Sequence, residues 1–318
     1  MTSSTPVSLC CLWKGIAMST INIIKVILEE GAQYAILALG VYLSYSILDF
    51  PDLSVDGTMP MGALVSAVLI INGMDPWLSL LVAFACGCVA GCLTGVLHVK
   101  LHIRPLLCGI LVFTALISVN LLIVKLGTGG FSIASLFEKP TIFNSPAVSF
   151  LPNSIGGVGV KRLIILIVLV IVLKILIDLY LKTKSGLLLR ATGANEQYVI
   201  MLGKNPGMSK ILGLALGNGL AALAGAVIAQ ARATADTSMG TGMVVFGLSS
   251  VIIGLTLFGR IPFMKATTAV ILGTVMYKGC LQVAVSLGLP SDYNKLLMAV
   301  LFVLALLISG KWKKWVKA

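Results

Sequence analysis

Long apolar runs, parted by short polar stretches that hold most of the charge, recur along almost the whole chain. A hydrocarbon layer about 30 Å thick needs roughly 20 apolar residues as an α-helix, but only about 10 alternating ones as a barrel strand. The runs are helix-length and do not alternate. They predict about nine membrane helices, near 32–48, 59–71, 77–99, 105–126, 163–181, 211–230, 244–258, 266–287 and 296–309. The expected fold class is therefore all-α and membrane-integral, with a single transmembrane domain over 19–318. Residues 1–18 read as a leader, disordered or preceding a true start at Met18, because they lack the basic start and cleavage site of a signal peptide. The loop between 127 and 160 is rich in Gly, Pro, Ser and Asn and is the long excursion on its side.

The polar segment 182–210, KTKSGLLLRATGANEQYVIMLGKNPGMSK, interrupts this pattern most strongly and holds five of the 23 Lys and Arg. A short helix inside it has both ends marked. Asn195 suits the N-cap, and Glu196 and Gln197 suit the positive end of the dipole. Gly203 suits the left-handed C-terminal position, and Pro206 prevents continuation. The helix, about 196–202, presents Tyr198, Val199, Met201 and Leu202. Two turns are too few to be stable alone in water, so this helix must rest on the membrane helices or on another protein.

Composition fixes the class. With 58% hydrophobic residues, 11% charged and a mean hydropathy of +1.06, the chain has too little polar surface for a soluble domain of its size. The net charge of +12 does not imply nucleic acid, because the basic residues lie mostly in short loops between spans. Placing 182–210 in the cytoplasm puts thirteen Lys and Arg inside and eight outside, which also puts the C-terminus inside. Five of the seven cysteines (Cys86, Cys88, Cys92, Cys108, Cys280) fall within apolar runs and read as small packing residues. Gly87, Gly91 and Gly95 recur every four residues and predict a seam where a second helix approaches closely.

Candidate chemistry is sparse. The acids fall in loops or near span ends, so a mid-membrane carboxylate for a coupling cation is not expected. Asp178 comes nearest, and Lys174 four residues earlier is its expected partner. There is no phosphate-binding G-x-x-x-x-G-K-[ST] loop, and no catalytic residues are assigned. His98 and His102 have helical spacing for a metal but lack a Glu between them and precede Arg104, so no metal site is assigned. A polar path through the membrane would draw on Thr114, Ser118, Asn120, Asn218, Ser249 and Ser250, and Gln282 is a further polar group in a span. The segment 49–62, DFPDLSVDGTMPMG, adds Ser54, Asp56 and Thr58 to the path. It reads as a broken helix, with Thr58 or Asp56 as cap and Pro60 in the first turn.

Three stretches, DLSVDGTMPMGA, ATGANEQYVIMLGKN and LGNGLAALAGAVIAQ, resemble the permease subunits of ABC importers, in the branched-chain amino acid and ribose permease superfamily. The branch they look like is paired with tyrosine- or tryptophan-type binding proteins. The likeness runs from about 19 to 309. It implies a type II, vitamin-B12-permease-like fold and a homodimer around a central path. It also implies two copies of a separate ATPase that binds ATP and Mg, an extracytoplasmic solute-binding protein over the long loop, and residence in the cytoplasmic membrane. By the same resemblance, the coupling contact with the ATPase would comprise Arg190, Gly193, Asn195, Glu196, Gln197, Tyr198, Met201, Leu202 and Gly203. An aromatic amino acid is the favoured solute. A sugar or nucleoside, an ion-coupled carrier or channel, and an intramembrane metalloenzyme stand as alternatives.

Overall fold

The computed structural model describes residues 9–145, 160–259, 261, 263–286, 290 and 293–308. The apolar runs fold as helices: α1 (Leu9–Val41), prolonged by a π-helix (Tyr42–Ile47), then α2 (Val55–Ile71), α3 (Pro76–Leu101) and α4 (Pro105–Thr128). After the long loop come α5 (Lys161–Tyr180), α6 (Lys184–Ala194), α7 (Glu196–Met201), α8 (Pro206–Arg232), α9 (Met243–Phe258), α10 (Ala266–Ser286) and α11 (Asn294–Ile308). Among the described residues, seven segments are long and apolar enough to cross a membrane. Of the nine predicted runs, the second and ninth correspond to shorter apolar helices, Val55–Ile71 and Lys295–Leu307. Residues 9–18 of the predicted leader belong to α1, and residues 1–8 lie outside the described residues.

Among the described residues, one two-stranded ribbon departs from all-α. Strands β1 (Ile133–Ser135) and β2 (Thr234–Asp236) pair antiparallel, with Ala134 opposite Ala235. The segments after α4 and α8 emerge at the same end, and both alanines are fully buried. The ribbon closes over these two alanines and gives backbone groups beside them partners within the chain.

The most enclosed helix is α8, with 83% of its apolar window buried. Its Gly- and Ala-rich surface lets neighbours approach to backbone contact. The glycines at 87, 91 and 95 face it from α3: a methyl added at Gly87 would fall 2.5 Å from Ala222 Cβ, one at Gly95 would fall 2.8 Å from Ile211 Cα, and one at Gly91 would strike the Leu214 carbonyl. Without side chains in the way, α3 and α8 gain continuous dispersion contact along this line.

Two helices begin half-way through the bundle. Gly57, near the start of α2, lies against Leu116 and Phe113 and accepts a 3.0 Å hydrogen bond from Asn120, all near the middle of α4. From this level α2 runs towards the ribbon end, and α9 runs the other way, to Leu255 and Thr256 beside Asp49. At 17 and 16 residues each helix is only about 25 Å long. The two starts meet at Asp56.

Candidate functional site

A closed polar network occupies this half-way level. The Asn218 side chain accepts from Thr58 Oγ1 (2.6 Å) and Ser54 Oγ (3.1 Å) and donates to Asp52 Oδ2 (2.6 Å). Asp52 Oδ1 accepts the Ser54 backbone N–H at 2.9 Å, an Asx turn that sets the start of α2. Thr94 of α3 donates to Ser54 Oγ at 3.4 Å. All five side chains are buried. Three of the predicted path residues, Ser54, Thr58 and Asn218, therefore meet in one place, where their hydrogen-bonding groups are spent on one another.

Asp56 does not cap its own helix. Its carboxylate reaches across to the start of α9 and accepts the N–H groups of Val244 (2.7 Å) and Gly242 (3.2 Å). α2 starts at Val55, so Pro60 lies inside the helix rather than in its first turn. Gly242 has φ +85, a left-handed turn that favours glycine and aims these donors at Asp56. The remaining predicted path residues are scattered. Thr114 and Ser118 lie on the exposed face of α4, with Thr114 donating to the Ile110 carbonyl (2.8 Å). Asn120 is buried, with its Oδ1 unpartnered. Ser249 donates to the Val245 carbonyl (2.6 Å), and Ser250, also buried, has an unpartnered Oγ.

At the opposite end from the ribbon lie α6 and α7. Asn195 caps α7 by accepting the Tyr198 N–H at 3.2 Å, and Gly203 follows with φ +67. Val199 is fully buried, and Ile200 is exposed with Tyr198, Met201 and Leu202. This corrects the expected face: the helix anchors through Val199, the one position that points at the bundle. Arg190 and Gln197 are exposed. Glu196 pairs with Lys210 at 2.7 Å. Lys210 also lies 3.4 Å from His98 Nε2, while His98 Nδ1 is 2.8 Å from the Ile103 carbonyl. A carbonyl only accepts, so Nδ1 carries the proton and Nε2 accepts from Lys210. Gly193 points inward, where any side chain would strike the Ile47 carbonyl at the end of the π-helix. The end of α6 is thereby pressed against the end of α1. The helix α6 itself was not expected. Thr183 starts it by accepting the Gly186 N–H at 3.2 Å.

Two expectations about charge are corrected. Asp178 pairs with Lys265 (3.0 Å) and accepts from Thr267 (2.7 Å) of α10, not with Lys174, because the start of α10 brings a cation and a hydroxyl to it together. Carboxylates do enter the bundle. Besides Asp52 and Asp56, Glu30 of α1 pairs with Lys278 of α10 at 3.1 Å, and the Lys278 ammonium lies 4.0 Å from the centre of the Tyr34 ring.

Residues 23–306 match the family described as the permease component of the branched-chain amino acid transport system. The chain belongs to this family. The permease is 41% identical over 284 residues to a tyrosine transport system permease protein of Clostridioides difficile, covering 89% of this chain and 90% of that one. An uncharacterized protein of Rickettsia prowazekii is 32% identical over 90% of this chain and 97% of its own. A fructose import permease protein of Bifidobacterium longum is 26% identical over 87% of this chain and 74% of its own. No solved structure matches the permease.

Sequence reasoning missed several members of the permease's buried networks. Gln230 at the ribbon end accepts the Ile142 N–H (3.0 Å) and donates to Ser66 (3.0 Å) and Ser79 (3.2 Å), tying α2, α3, α8 and the long loop together. Asp52 had a local signal, the Asp-x-Ser spacing. Thr94 and Gln230 had none, because only the packing of α3 on α8 defines their partners. Part of the loop where a binding protein was expected, 146–159, lies outside the described residues. Phe131 and Phe137, before that gap, are exposed.

Proposed function

We propose that the permease is the transmembrane subunit of an ATP-driven importer. In this reading it moves a small polar solute, an amino acid with aromatic ones favoured, across the cytoplasmic membrane. It works as a homodimer around a central path in a type II arrangement, with two ATPase subunits that hold ATP and Mg and with an extracytoplasmic binding protein. The C-terminus and α7 face the cytoplasm, in keeping with the bias of basic residues. The observation that carries the reading is α7, a capped helix of six residues that buries one apolar side chain and leaves Tyr198, Ile200 and Met201, with Leu202 at its C-cap, open. An apolar group of that kind at a membrane-protein end calls for a covering partner. Through α6, whose Gly193 abuts the Ile47 carbonyl at the end of the π-helix, a partner's motion on α7 can pass into the bundle.

The test is a permease carrying Ile200→Asp and Met201→Asp. Its dimer should assemble normally, while the ATPase no longer co-purifies and ATP-driven tyrosine uptake into proteoliposomes falls at least tenfold. Uptake by the permease alone, abolished by an ionophore, would overturn the reading. The likeness to a fructose permease supports a sugar as second solute class. Competition between labelled tyrosine and fructose decides between them.

A further inference from the structure

At the α7 end, the close of α1 and the close of α9 enclose a cavity of about 280 Å³. One wall is polar, built by Tyr45 and Ser46 of the π-helix and by Asp49 just after it. The other presents Ile252, Leu255 and Thr256 of α9. Four observations set this cavity apart. In the π-helix and the residues just after it, a mostly buried stretch, Ser46 and Asp49 are exposed. Each of the other carboxylates that turn into the bundle or the α7 end has a partner: Asp52, Asp56, Asp178, Glu30 and Glu196. No Lys or Arg among the described residues pairs with Asp49, which also has an unusual left-handed φ of 54. Both helices end here, so the negative poles of two helix dipoles converge, and neither has a basic residue in its last turn. Finally, the wall that carries Asp49 is the one pressed by α6, through Gly193 against the Ile47 carbonyl.

We propose that this cavity is a subsite for a cationic group, the ammonium of an amino-acid-class solute, on its way out of the bundle. Asp49 is the counter-ion, the hydroxyls of Ser46 and Thr256 are hydrogen-bond partners, and the α9 wall receives an apolar side chain. Movement of α6 would shift Asp49 relative to α9 and so release the ammonium. The assignment rests on the importer reading above, but its test does not need transport.

In purified permease with its native cysteines replaced, Ser46→Cys is reacted with cationic 2-aminoethyl and anionic 2-sulfonatoethyl methanethiosulfonate. The cation should be favoured at least tenfold beyond its ratio on a free thiol, and adding Asp49→Asn should bring the ratio near that of the free thiol. Equal rates, or a preference unchanged by Asp49→Asn, would overturn the subsite while leaving the importer reading intact. In the complete transporter with native cysteines, Asp49→Asn should reduce tyrosine uptake about tenfold with ATPase association unchanged, and Asp49→Glu should recover part of it. Full uptake in Asp49→Asn would likewise overturn the subsite.

Discussion

Replacing Asp56 by asparagine and by alanine separates charge from hydrogen bonding at the start of α9. The carboxylate accepts two backbone N–H groups there, at 2.7 and 3.2 Å, and each would otherwise be unpaired at the half-way level of the bundle. Alanine removes both acceptors. A lost cap costs about 1 kcal/mol, and an N–H left buried without a partner costs about 1–3 kcal/mol, so a total near 3 kcal/mol is expected. Asparagine keeps one acceptor oxygen and loses the charge. A charge at a partly buried helix start contributes up to about 2 kcal/mol, so asparagine should cost roughly half as much as alanine. Thermal unfolding of the purified permease in one detergent should therefore rank wild type above Asp56→Asn above Asp56→Ala. Equal losses in the two variants, or none in either, would refute the assignment of Asp56 as the cap of α9.

Other outcomes follow from the same packing. Gly193→Leu meets the Ile47 carbonyl, and this overpacking should cost about 1–3 kcal/mol; in the complete transporter it should uncouple ATP hydrolysis from uptake, read as hydrolysis retained and uptake lost. Gly91→Leu forces α3 off α8 at the Leu214 carbonyl and should lower the unfolding midpoint more than Leu93→Ala on the exposed face of α3. Lys278→Met strands Glu30, whose side chain is about a third open to solvent (34%), so the cost is about 2 kcal/mol rather than the full value for a sealed pair. Adding Glu30→Gln to Lys278→Met should restore most of the loss, and failure to do so would count against the pair.

How much of this could be read beforehand depended on how far away each residue's partner lies in the chain. The cap and the left-handed glycine of α7 are local events, so Asn195 and Gly203 announce that helix on their own. The glycines of α3 repeat with the helix period, so the spacing marks a close-packed seam, although only the structure names α8 as the neighbour. Asp56 illustrates what is hidden. Beside Thr58 and Pro60 it has every local reason to cap α2, yet its acceptors go to Gly242 and Val244, more than 180 residues later. The helix α6 is masked by Gly186 and Gly193, which weaken helix propensity. Both are required because the Tyr180 and Ile47 carbonyls lie where their side chains would be.

The meeting of α2 and α9 carries an electrical consequence. Two helix starts aimed at one level place about one unit of positive charge, roughly half from each, inside the bundle, and the carboxylates of Asp52 and Asp56 lie at that same level to offset it. Dipole ends and carboxylates hold one another there away from water, so a shift of either helix start would leave charge unpaired inside the bundle.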